Sequence, residues 1–253
     1  MSDSMKIEDY LAAGGTLSAP GNAPPRYRAE LMRLMATFVD SELAGAAGFA
    51  DMINQGPGIK ERIAAAKIVL EKADNADKVL SIMGEFGANR SKYATHHPWT
   101  ARLTRLADIG ATRTDADMRL AVFNYPLTNW PDAVVMNLLM GSAVGIQLDE
   151  FSRLSYQPLA EAFRAIAPVE ARHTELAEEG LHRLLDTGTA TADLDASVTY
   201  WWPRVAASFG ADSSPRAATL AAYGLRHTGN ADLRRTWQDK ASGLLQGLGL
   251  TAP

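Results

Sequence analysis

The chain of 253 residues carries 25 Lys and Arg against 29 Asp and Glu, with 47% hydrophobic residues and no cysteine. That apolar content sustains one domain with a real core, and the missing cysteine excludes disulfides, thiolate metal sites and cysteine nucleophiles. Basic residues are dispersed and the net charge is −4, which argues against a nucleic-acid partner or an anionic membrane surface.

The opening MSDSMKIEDYLAAGG has no basic segment leading into an apolar one, as a signal peptide would. No uninterrupted apolar window approaches the roughly 18 residues of a membrane span. A cytoplasmic protein that does not cross a membrane is expected. Residues 1–25 read as a flexible lead-in, rich in Gly and Pro over 13–25, and 26–253 as a single helical domain. The spacing of apolar residues predicts long helices over 26–53, 58–86, 131–154 and 158–185. Smaller helices are expected over 99–109, 115–122, 195–209, 215–226 and 230–246. Hairpin signals and solenoid repeats are absent. A long connection between the second and third long helices points to an all-α, ferritin-like four-helix bundle with a crossover and extra C-terminal helices.

The inward faces follow from helical periodicity. The first long helix turns Leu31, Leu34, Met35, Phe38, Glu42, Ala46 and Phe49 inward, and Glu42 interrupts an apolar stripe. The second turns in Ala65, Ile68, Val69, Lys72, Ala76, Val79, Met83 and Phe86, with Asn75 at the edge. Glu71 and Asp74 fall on its other side, beside Lys67 and Lys78, as ordinary surface pairs. The third presents Val134, Leu138, Gly141, Gly145 and Leu148, and the fourth Phe163, Ile166, Glu170, His173, Ala177 and Leu181.

Glu170 and His173 project from one helix face, the half-motif with which ferritin-like bundles hold two metal ions. A full centre needs a second such pair and two further carboxylates. The second helix offers Lys72 and Asn75 in that place, and the third offers Gly141. A protonated ammonium has no lone pair for a metal and repels a dication.

Several segments together resemble the catalytic A subunits of the phenylacetyl-CoA epoxidases. They are PRYRAELMR (25–33), DSELAG (40–45), VFNYPLTNW (122–130), LSYQPLAEAFRAI (154–166), EARH (170–173), YWWPRVAASFG (200–210) and GLGLTAP (247–253). The resemblance implies a ferritin-like bundle, a CoA-thioester substrate, dioxygen chemistry at two irons, and pairing with a second ferritin-like subunit that lacks metal. It matches Glu42, Glu170 and His173 to family ligands. The family's Asp-Glu-Ala-Gly-His stretch corresponds to EKADN (71–75), placing Lys72 and Asn75 where Glu and His stand. A register using Glu71 and Asp74 is the alternative, and the inward stripe favours Lys72. The third-helix acidic ligand aligns with Gly141. Lys67 and Arg119 match basic positions that could meet CoA phosphates.

The expectation is therefore a metal-free, non-catalytic homologue in which Glu42, Lys72, Glu170 and His173 form a polar cluster in place of the di-iron centre. Two negative carboxylates would be balanced by Lys72 and a protonated His173. It would act as a structural or regulatory member of a homo- or hetero-oligomer with another ferritin-like subunit. One alternative is an oxygenase with a single metal, such as iron, at Glu42, Glu170 and His173. Another is a metal-free enzyme with His173 as base and Lys72 as electrophile or nucleophile. A third is an acyl-CoA binding module. His96, His97, His182 and His227 read as surface or satisfied side chains, and the aromatic–proline junctions as packing where helices meet loops.

Overall fold

The computed structural model describes residues 6–96, 98–112 and 117–253. Two of its bundle helices, α5 (Trp130–Phe151) and α6 (Gln157–Asp186), carry Pro in the first turn, as does α2 (Pro25–Met52). A missing N–H costs nothing there. The fourth, α3 (Ile59–Glu85), starts after Gly58. Helix α2 packs along α3, α5 along α6, and α3 along α6. These four follow the periodicity closely. Among the described residues no strand forms, and the fold is all-α.

Helix α5 is apolar on every side because it is covered on every side. Its outer face is closed by α7 (Thr191–Ala207) and α9 (Asn230–Gly247), which bring Trp201 and Trp237, both fully buried. By length and composition α5 could cross a membrane, yet 72% of its apolar window is buried inside the fold.

The bundle interior divides into two apolar clusters. One gathers Phe49, Ile68, Met140 and Leu181 with the tryptophans; the other gathers Met35, Val79, Tyr156 and Ile166. Along α2, α3 and α6 the change from one cluster to the other falls at Glu42, at Lys72 with Asn75, and at Glu170 with His173.

Four expectations need correction. The lead-in packs rather than trailing free: α1 (Ile7–Ala12) lies against α8 (Pro215–Ala222), and Leu11, Leu17 and Ala23 are buried. Leu17 also exchanges backbone hydrogen bonds with the segment before α6, to Ser155 O and from Gln157 N, both at 2.8 Å. The 99–109 helix does not form. Carbonyls of Trp99 and Ala101 accept from the Arg119 and Arg102 guanidinium groups, and the Pro98 carbonyl is shared between Arg119 and the Ala101 amide in a single turn. A helix absent from the expectation, α4 (Arg90–His96), precedes this segment. His97 and the start of the expected 115–122 helix lie outside the described residues; the end of that span enters a 3-10 turn, Ala121–Asn124. Finally, α8 stops short because Gly224, at φ 61°, turns the chain where a Cβ would sit 3.0 Å from Ser155.

Candidate functional site

Midway along the bundle, Lys72 Nζ lies 2.9 Å from Glu170 Oε2, 3.2 Å from Glu170 Oε1 and 3.2 Å from Glu42 Oε1. Asn75 donates its Nδ2 to Glu170 Oε1 at 3.0 Å. All four of these residues are buried. The lysine stem reaches the centre past Gly45, whose absent Cβ would stand 3.6 Å from Lys72 Cδ and 3.3 Å from Phe123.

His173 is fully buried, and its Nε2 meets Glu71 Oε2 at 2.8 Å. Its Nδ1 lies 3.3 Å from Glu170 Oε1 without the alignment of a hydrogen bond. Asn137 on α5 donates to the His173 carbonyl at 3.1 Å. Glu71 is thus a member that periodicity assigned to the surface. It pairs with Lys67 at 3.6 Å as expected, but its long side chain also reaches the histidine. Asp74 is exposed and takes no part.

Electrostatics separates the two carboxylates. Burial first, then the neighbouring Glu170 charge, pushes the Glu42 carboxyl up to about 8, against the pull of Lys72. Glu42 is then neutral at pH 7. For Glu170, burial is outweighed by the Lys72 charge and by His173, so it stays ionised well below the usual carboxylate range. Burial likewise opposes the charge on Lys72, and the attraction of Glu170 and Glu42 overcomes it, holding the ammonium above its ordinary value. The centre is one ion pair beside a neutral acid, not two negative carboxylates. Among the described residues, Glu42 Oε2 has no hydrogen-bond partner.

This donor set does not fit the two metals of a ferritin-like centre. Both Glu170 oxygens already accept from Lys72 or Asn75, and Lys72 occupies the space between the two glutamates. Among the described residues no group of three or more His, Asp or Glu is arranged to hold a metal ion. At Gly141, an added Cβ would lie 2.5 Å from Thr174 Oγ1 on α6, so α5 and α6 have closed over the position where the resemblance expects a carboxylate. A narrow cavity of about 30 Å³ beside Lys72, lined by Phe123, Met140 and Gly141, has room for about two waters.

The rest of DSELAG is structural. Asp40 accepts from Met118 N at 2.8 Å and from the Tyr93 hydroxyl, and Ser41 Oγ accepts from Leu120 N at 3.0 Å. Arg102 donates to the Ala44 carbonyl at 2.9 Å. Arg119 is buried and directs its guanidinium to Asp117 and three backbone carbonyls, so it does not face a CoA phosphate. Lys67 is exposed on α3. His182 and His227 are exposed, the latter bonded to Arg153 O at 2.9 Å.

Comparison with known proteins identifies the family. The family model described as "Phenylacetic acid catabolic protein" matches residues 12–253. The 1,2-phenylacetyl-CoA epoxidase of Escherichia coli (strain K12) has an A subunit that is 24% identical over 258 residues, covering 100% of this chain and 78% of that protein.

Proposed function

Because the chain belongs to the phenylacetic acid catabolic protein family, we propose that it is a metal-free, non-catalytic member of an oxygenase-type complex in the cytoplasm. The observation that carries this reading is Lys72 Nζ, which bridges Glu42 and Glu170 at 2.9–3.2 Å where a metal would draw the same carboxylates together. A buried ammonium supplies the positive charge that buried glutamates need and so preserves the bundle without the ions. A single metal at Glu42, Glu170 and His173 would have to displace that ammonium. The cavity of about 30 Å³ beside Lys72 is too small for an acyl group, and an acyl-CoA module would instead use the cavity of about 320 Å³ that Glu42 and Phe123 also line.

A subunit that keeps the scaffold needs a docking face, and α3 supplies one. Ile59, Ile63, Ala66 and Leu70 recur at helical spacing along its outer side, and the three large residues are 73%, 61% and 62% exposed. Such a stripe is the seat of a partner helix in bundle assemblies, and the partner that this family relationship supports is another ferritin-like subunit.

The test is metal content of protein purified without chelator, alongside Glu170→Ala. Iron, manganese and zinc are each expected below about a tenth of an equivalent in both proteins. Near one equivalent, lost in Glu170→Ala, would overturn the metal-free reading. Co-purification with a ferritin-like partner that is lost in Ile63→Glu tests the docking half independently.

A further inference from the structure

The outward side of α3 carries a second pattern besides the one that buries Lys72. Ile59, Ile63, Ala66, Leu70 and Ala73 are spaced 4, 3, 4 and 3 residues apart. That is the seam of a heptad, narrower than the stripe of a core-facing helix. The three large members and Ala66 are exposed, and Ala73 is half-buried. The seam ends where Asp77 takes the next place, paired with Arg90. It therefore runs about 21 Å, or about four turns of helix.

The rim of this seam has one sign along its first turns. Lys60 and Lys67 stand along one flank and Arg62 along the other, and all three are exposed. The neighbouring acids turn away from it. Glu61 is held by Arg183 of α6 at 3.0 Å, and Glu71 reaches inward to His173 at 2.8 Å. Lys67 keeps contact with Glu71 at 3.6 Å, yet its side chain is 53% exposed. An exposed acid next stands beside the seam at Asp74, in the last turn.

In a chain of net charge −4 this basic rim is a local feature, and flanking charges choose the partner of a heptad seam. A second copy is a poor match. Laid parallel, Arg62 would face Lys67 of the second copy; laid antiparallel on the same seam, Lys60 would face Lys67. Like charges disfavour both arrangements. We infer that the α3 seam seats one helix of a different chain, whose apolar heptad stripe is flanked by Asp and Glu opposite residues 60–67. The inference rests on the docking role of α3; it adds the partner's charge and excludes self-pairing.

The experiment uses the full chain and two synthetic peptides of about 28 residues, long enough to hold helical structure. Both have the same Leu and Ile seam; one carries Glu and the other Lys at the flanking positions. Fluorescence anisotropy at about 50 mM salt is expected to show the Glu peptide bound about tenfold more tightly, with the preference fading at about 1 M salt. Ile63→Glu is expected to weaken both peptides about tenfold. Lys60→Glu with Lys67→Glu, at two exposed positions, is expected to invert the preference, and Lys60→Glu alone to reduce it. Sedimentation velocity is expected to give the parent and Ile63→Glu the same size. Equal binding of the two peptides, binding of neither, a preference unchanged in the double variant, or a dimer that Ile63→Glu dissolves would overturn the inference. If the peptides bind alike while Ile63→Glu still releases a co-purified ferritin-like subunit, the charge assignment fails and the docking role stands.

Discussion

Two of the buried carboxylate–cation centres in this bundle are built differently. At the start of α5, Asp132 pairs with Arg105 at 2.7 Å and also accepts from Trp201 Nε1, Ser197 Oγ, Thr128 N and Thr128 Oγ1. Arg105 stacks on Tyr200 at 3.5 Å, and its side chain is 25% exposed. Every lone pair there has a use, and the groups tie three parts of the chain together. The Lys72 centre is more deeply buried and less complete: among the described residues, Glu42 Oε2 and His173 Nδ1 have no hydrogen-bond partner. A network whose purpose is structural is saturated. The Lys72 centre lacks that saturation, and its orphaned atoms mark where its groups are not matched.

Removing each cation or acid should expose that difference. Lys72→Ala leaves the buried Glu170 carboxylate without its cation and is expected to destabilise by about 3–5 kcal/mol, read from urea unfolding. A variant as stable as the parent would mean that the lysine does not hold the carboxylates. Asp132→Asn keeps most of the acceptor geometry while losing the charge, and Arg105 can be rehydrated. About 1–2 kcal/mol is expected from the same measurement.

The acid of the incomplete centre should also leave a signature in pH. Glu42 holds its proton to about pH 8 in the folded chain but ionises near the ordinary value when unfolded. The unfolded state therefore binds fewer protons across that window, and stability falls as pH rises through it. Its share of the slope approaches about 1.4 kcal/mol per pH unit. Glu42→Gln should flatten this part of the profile between about pH 5 and 8, and equal slopes in the two proteins would refute the neutral acid. The smallest effect is expected at Glu71→Gln, about 0.5 kcal/mol, because that side chain is partly solvated.

Much of this was legible in the sequence. The long helices, the inward position of Glu42, Lys72, Glu170 and His173, and the family all follow from periodicity and motifs. What escaped was decided by side-chain reach or by distant partners. Glu71 lies on the outer flank of α3, and only the length of a glutamate brings it to His173. The 99–109 helix failed because Arg119, many residues away, claims its carbonyls. Leu11 and Leu17 looked like isolated apolar residues in a Gly/Pro-rich tail, and the surface that buries them comes from α6 and α8.

Gly141 sets the order in which this site could change again. Any side chain there meets the Thr174 hydroxyl at 2.5 Å. A carboxylate at 141 requires Thr174 to turn its hydroxyl away or to be replaced by something smaller, and that change brings no ligand by itself. The contact works as a ratchet: a carboxylate at 141 and room at 174 must come together, so neither change alone adds an acidic side chain to the site.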